Sequence, residues 1–520
     1  MAPRILAAAT ALALFAAPPA ARANNLPPPA QTAGISIPEG QIEKAVEALD
    51  GIIESAMRET GVPGLAVAVV RRDEVLFAKG YGVRKAGEEG VVDTDTVFQL
   101  ASLSKPVGAT VVAKQVGEGL VDWDTRMSEI LPWFKLSNPE STALLTVGDL
   151  YAHRSGLPDH AGDDLEDLGY PQKVILEQLR HLKTGPFRLQ YAYTNFGLTA
   201  AAEAVAGVAG KDWATLSEEA IYKPLGMERT SSRLGDFLAR ENRAYNHMRG
   251  GDGWEVLFQR DPDPQSPAGG VSASVNDMAK WMRMVLGNGA YEGEQIVDAA
   301  ALLPALSPQT VSGRPATPAA RAGFYGYGFG VGVSPAGRVM LSHSGAFALG
   351  AATNFIMIPS ADIGIVVLSN AQPIGLVEGI SMSFMDLVQF GAVQRDWLAM
   401  YPVLFGPMLE PFGKHAGQKA PADAKPAREL EDYTGTFAND YYGNLIVEKA
   451  DGGLLMKVEG TPSTFPLQHW TGDEFVFRPL NENAMEGSIS SVRFSMEGEQ
   501  AKEVHVEYFD QLDDGTFVRR

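Results

Sequence analysis

The stretch GVPGLAVAVVRRDEVLFAKGYG, residues 61–82, decides the fold. Two apolar runs, LAVAVV at 65–70 and VLFAKGYG at 75–82, flank the turn RRDE, a pattern that predicts a strand pair. GVPG at 61–64 punctuates the segment before it. There Ile42, Ala45, Leu49, Ile52 and Ala56 recur at the three- and four-residue spacing of one helix face. Beyond residue 82 helical patterns dominate to about residue 225. Strand signals then return in GRVMLSHSGA (337–346), ATNFIMIP (352–359) and IGIVVLSN (363–370), which read as adjacent antiparallel strands. Strands at both ends with helices between them predict one α+β domain whose sheet joins the two ends. Residues 376–402 read as a helix that closes it.

This domain is expected over residues 39–412. GKHAGQKAPADAKPAR at 413–428 has no apolar periodicity and reads as a linker. From 429 to 520 the texture changes to short alternating runs with Gly or Asp turns, predicting a small all-β barrel or sandwich. The module could bind a ligand or wall the cleft, and packing without chemistry is its expected role.

A chain of 520 residues suits two or three domains. Its formal charge of −20 repels nucleic acid and anionic membranes, which are set aside as partners. The chain has no cysteine, which excludes disulfides, thiolate metal sites and a Cys nucleophile. Arg4, the apolar run ILAAATALALFAA and the small-x-small site ARA at 21–23 read as a cleaved export signal over 1–23. A polar, Pro-rich leader follows over 24–38. The mature protein is expected to be periplasmic or secreted, with no membrane span after cleavage.

The chemistry is sought in FQLASLSKP, residues 98–106. Residues i and i+3 of a helix share a face, so Lys105 can lie against the hydroxyl of Ser102. A serine needs a base beside it to attack a carbonyl, and a buried lysine loses its proton readily. Ser102 capping a helix, with Lys105 in water, fits the tetrad taken alone better. A second segment, YAYTNFGLTAAAEAV (191–205), carries Tyr193, whose hydroxyl could relay a proton, and Asn195, which could bond both Lys105 and a substrate amide. A turn with a capping Asn fits it too. In a third, LSHSGAF (341–347), His343 could donate to a substrate or tune the Lys105–Tyr193 pair. Gly345 would let a substrate approach the backbone, and the Ala346 amide could pair with that of Ser102 as an oxyanion hole. A surface strand explains these residues as well.

Taken in order, Ser102-x-x-Lys105, Tyr193-x-Asn195 and His343-x-Gly345 resemble the three motifs of the penicillin-recognising serine hydrolases, with spacings close to the class C β-lactamase branch. GVPGLAVAVV, LYAHRSGLP and SPAGGVSASVNDMAKWM resemble flanking text of that family. The resemblance covers about residues 40–400. It implies a class C β-lactamase-like α+β fold, with an α/β sheet domain facing an all-helical domain, and an acyl-enzyme on Ser102. Lys105 and Tyr193 are implied as the activating pair, and no metal or organic cofactor is needed. The terminal module resembles the lipocalin-like β domain appended to some relatives. One departure matters: His343 stands where β-lactamases and transpeptidases carry Lys. His-x-Gly is similar to the D-aminopeptidase, short-peptide hydrolase and esterase branches. The expected activity is therefore hydrolysis of amide bonds in short peptides or amino-acid amides, with a carboxylesterase as the alternative. A β-lactamase, a D-Ala carboxypeptidase or a non-catalytic binding protein fits less well.

Overall fold

The computed structural model describes residues 33–251, 253–450 and 452–520. The export-signal reading of 1–23 and most of the leader lie outside the described residues. Helix α1 (Gln41–Thr60) buries Ile42, Ala45, Leu49, Ile53 and Ala56 and stops at Gly61, whose φ of 66° is left-handed. The predicted pair follows as antiparallel strands β1 (Gly64–Arg71) and β2 (Glu74–Gly82), with Val67 opposite Lys79. β1 is buried up to Arg71 because it is central rather than an edge. Leu65, Val67 and Val69 pack into the cluster under α1, and Ala66, Ala68 and Val70 into the cluster on the opposite face.

Six strands from the other end complete the sheet: β3 (Thr310–Gly313), β4 (Gly323–Tyr325), β5 (Gly330–Val333), β6 (Val339–Phe347), β7 (Ala351–Ile358) and β8 (Ile363–Ser369). The order is β2-β1-β8-β7-β6-β5-β4-β3, so the two ends of the domain meet where Val67 faces Val367. The helix predicted over 376–402 is two helices, α7 (Leu376–Phe390) and α8 (Trp397–Phe405). Gly391 at φ 73° ends the first, and the Asp396 carboxylate, accepting from the Ala399 amide at 3.0 Å, starts the second. α1 and α7 cover one face of the sheet and α6 (Val275–Leu286) the other. Between the two sets of strands lie α2 (Ser104–Gly117), α3 (Val147–Tyr151), α4 (Asp163–Asp167) and α5 (Asn195–Val208).

The C-terminal module is a closed antiparallel barrel of eight strands: β9 (Gly435–Asn439), β10 (Gly443–Ala450), β11 (Gly453–Val458), β12 (Thr464–Thr471), β13 (Glu474–Phe477), β14 (Ser490–Glu497), β15 (Gln500–Val506) and β16 (Thr516–Arg519). Phe437 facing Arg519 closes the ring. Residues 413–428 lack helix and strand, yet they are held against the barrel. His415 stacks on Trp470 with ring centroids 4.4 Å apart, and the Lys425 amide donates to Thr471 Oγ1 at 3.0 Å. Among the described residues no helix is long and apolar enough to cross a membrane.

Candidate active site

Ser102 lies in a short 3-10 turn, Ala101–Leu103, that leads into α2. Ala101 is left-handed at φ 48°, a strain of about 1 kcal/mol that the surrounding packing holds. Side chains on a helix lean toward its N-terminus. Lys105 therefore reaches back, and its Nζ stands 3.0 Å from Ser102 Oγ. The other two contacts of Nζ are oxygens that only accept, Asn195 Oδ1 at 2.7 Å and Ala268 O at 3.0 Å. They take two N–H groups. When the amine is neutral, its lone pair is left facing Ser102. Burial pushes the Lys105 ammonium down to about 7, against the opposing pull of Asp163 and Glu166.

Tyr193 closes the other side, its hydroxyl 2.8 Å from Ser102 Oγ and its ring 4.5 Å from Lys105 Nζ. Burial raises its phenol well above the usual value, so the hydroxyl stays protonated. The extended segment before α5 is pinned along its backbone. The Tyr193 amide donates to Asp159 at 2.6 Å, its carbonyl accepts from the His160 amide at 2.8 Å, and the Thr194 amide donates to His153 Nδ1 at 3.1 Å. Asn195 is oriented by Asp163 Oδ2, which accepts from its Nδ2 at 2.9 Å. His153, His160 and Asp163 went unrecognised as site residues. The flank LYAHRSGLP contained His153, but no spacing rule places it beneath Tyr193.

His343 is brought to the same region, but its ring is already engaged. Tyr325 OH lies 2.8 Å from Nε2, and Nδ1 lies 2.7 Å from the Ser344 carbonyl. Among the described residues it makes no hydrogen bond to Ser102, Lys105 or Tyr193. Burial and the Lys105 charge push its pKa down to about 3, so the imidazole is neutral. Gly345 is required by close packing. A Cβ there would stand 2.3 Å from both Leu100 O and Thr353 Oγ1 and 3.0 Å from the Ser102 amide nitrogen. The missing side chain lets β6 press against the turn that carries Ser102. Ala346, opposite Ala352 in the sheet, follows it on β6.

Ser102, Tyr193, Asn195 and Ala346 line a cleft with a cavity of ≈ 800 Å³. The barrel adds Glu482, Asn483, Gln511 and Leu512 to the lining of this cleft, so it walls the site as well as packing against the domain. Glu482 accepts from the Ala348 amide at 2.5 Å, just beyond the end of β6. Among the described residues no cluster of His, Asp and Glu is arranged to hold a metal ion.

The model of the Beta-lactamase family matches residues 49–378, and that of a domain of unknown function, DUF3471, matches residues 419–517. An Aspergillus violaceofuscus protein named Unguisins hydrolase ungD is 26% identical over 471 residues, 82% of each chain. Two solved structures share the fold. A penicillin-binding protein homologue from Pyrococcus abyssi, described as octameric, aligns over 91% of this chain and 100% of its own at 19% identity and a TM-score of 0.57. A class C β-lactamase from Rhodobacter sphaeroides aligns over 66% of this chain and 98% of its own at 21% identity and a TM-score of 0.55. With a family match over more than half its length and a class C-like α+β fold around Ser102, the chain belongs to the β-lactamase and penicillin-binding-protein-like serine hydrolase family.

Proposed function

We propose that this protein is a serine hydrolase that forms an acyl-enzyme on Ser102 and cleaves amide bonds in short peptides or amino-acid amides. One observation carries the reading: Ser102 Oγ is within hydrogen-bond distance of both a buried lysine, at 3.0 Å, and a protonated tyrosine, at 2.8 Å. The neutral Lys105 amine takes the hydroxyl proton as Oγ attacks the carbonyl carbon. The negative charge that develops on the carbonyl oxygen is met by the Ser102 and Ala346 amides. Tyr193 passes a proton to the leaving nitrogen and is reprotonated from Lys105. An amine is a poor leaving group without that proton, so a phenol beside Oγ favours amide substrates. Water then attacks the ester along the same relay.

The neutral His343 offers no fixed positive charge for the carboxylate of a β-lactam or of a peptide C-terminus, which disfavours those substrates. The N-terminal segment 1–23 supports export to the periplasm or the exterior as the setting.

A fluorophosphonate probe tests the chemistry. Wild type is expected to be labelled and Ser102→Ala not; equal labelling of both would overturn the assignment of the nucleophile. Hydrolysis of a panel of short peptides, D- and L-amino-acid amides, p-nitrophenyl esters and a chromogenic cephalosporin tests the substrate class. Turnover confined to the esters would make the protein a carboxylesterase with the same machinery.

A further inference from the structure

The run DDLED at 163–167 is not explained by any catalytic role. It forms α4, a five-residue helix that carries four carboxylates. Asp163, Asp164 and Glu166 are more than nine-tenths buried. Burying so many acids in one short helix is costly unless each is held by donors. Each is held, and by a different set. Asp163 accepts from Asn195 at 2.9 Å and contacts His160 Nδ1 at 2.9 Å. Asp164 accepts from Tyr441 OH at 2.8 Å, from Tyr442 OH and from the Leu165 amide. Glu166 accepts from Arg260 at 2.6 Å and from Gln265. Asp167 accepts from Asn483 at 2.7 Å and Tyr508 OH at 2.9 Å.

Two of these four sets belong to the barrel. Tyr441 also accepts from the amide of Gly162, the residue before α4, at 3.1 Å. Gly162 is left-handed at φ 96°, and a Cβ there would meet Ile175 and Phe196 at 2.9 Å, so the entry to the helix has little freedom. The barrel thus holds one end of α4 through Tyr441 and Tyr442 and the other through Asn483 and Tyr508. The adjacent residue, Asp163, holds Asn195, and Asn195 in turn holds Lys105 Nζ at 2.7 Å.

We propose that the barrel is a positioning part of the active site: by gripping Asp164, Tyr441 and Tyr442 fix Asp163, which turns Asn195 so that its oxygen holds Lys105 against Ser102. The inference rests on Lys105 being the base. Asp163 and the two tyrosines act through Asn195 and are positioning residues. Loosening the grip lets the Asn195 amide turn and the Lys105 lone pair leave Ser102. That loss appears in kcat, because a misplaced reacting group loses rate rather than substrate binding.

The test is a double-mutant cycle on the full chain, with folding checked by near-ultraviolet circular dichroism. Tyr441→Phe/Tyr442→Phe is expected to lower kcat about tenfold with little change in KM, and Asp163→Ala to lower it at least as much. Combining them is expected to add no further loss, because both act through one contact. Wild-type kcat in a folded tyrosine pair variant, or losses that multiply in the combined variant, would overturn the proposal. A crystal structure of the tyrosine pair variant gives a reading independent of turnover. Asn195 Oδ1 is expected to move out of hydrogen-bond distance of Lys105, and an unchanged contact would refute the coupling. If wild type and Ser102→Ala prove equally inactive, the hydrolase reading fails, whereas the contact measured in the crystal still decides the coupling.

Discussion

At the residue scale the argument rests on the proton inventory of Lys105. Two of its partners can only accept, so a neutral amine has one direction left for its lone pair, toward Ser102. Lys105→Ala is expected to lower kcat by at least ~10²-fold with little change in fold, and Tyr193→Phe by a similar factor. Steady-state turnover beside circular dichroism checks both, and near wild-type turnover in Lys105→Ala would mean that the base is another group. The pH dependence has a definite sign. The ammonium, held down to about 7 by burial, is the inactive form. Activity should therefore fall about tenfold per pH unit below that value and level off above it. A flat kcat/KM profile from pH 5 to 8 would remove Lys105 from the base role. The Ser102–Lys105 pair was legible because Ser102-x-x-Lys105 stands in order with Tyr193-x-Asn195 and His343-x-Gly345, whereas the tetrad alone also fits a helix cap. Asp163, His153 and Tyr325 were not, because each arrives on a separate helix, turn or strand whose path depends on the packing of the whole domain. His343 was legible as a member of the site but not in its bonding, because nothing in LSHSGAF announces Tyr325.

At the element scale β6 and the turn before α2 act as one unit. Their approach is so close that a methyl at Gly345 would enter the Leu100 carbonyl and the Thr353 hydroxyl at 2.3 Å. Both are held in place, since Thr353 Oγ1 donates to Leu100 O at 2.7 Å. Gly345→Ala must therefore separate strand from turn, at a cost of about 1–3 kcal/mol. It is expected to lower the melting temperature and to slow fluorophosphonate labelling together. A variant that melts lower but labels at the wild-type rate would show that Ser102 keeps its place without β6. The main strands and α1 could be read from period because their apolar faces repeat every two or every three to four residues. The break between α7 and α8 was missed because apolar residues resume at Trp397 soon after Gly391, across the short exposed stretch 391–396 that Asp396 ends as a cap. The attachment of residues 413–428 was missed for a related reason. Its anchors, such as His415 on Trp470, are single contacts with no period to reveal them.

At the scale of the whole molecule, the junction of domain and barrel buries carboxylates whose ionisation must feed back on stability. Burial pushes Asp164 up to about 6, despite the hydroxyls of Tyr441 and Tyr442, and pushes Glu166 and Glu482 up to about 7 despite Arg260. Unfolded, these groups lose their protons near pH 4. Between about pH 4 and pH 7 the folded chain therefore holds more protons, and stability from this junction is lost as pH rises through that window. His343, pushed down to about 3, and the buried His153 act in the opposite sense, because the unfolded chain protonates them first below about pH 6.5. A raw melting curve mixes the two effects, and a difference between variants separates them. Asp164→Asn removes one titration and leaves the histidines alone. Relative to wild type it should gain about 1–3 kcal/mol between pH 4 and pH 8, read from melting temperatures or denaturant midpoints at each pH. A difference that stays constant over that range would mean that Asp164 ionises as easily at the junction as in water. The barrel would then rest on a solvated contact rather than the dry one that links it to Lys105.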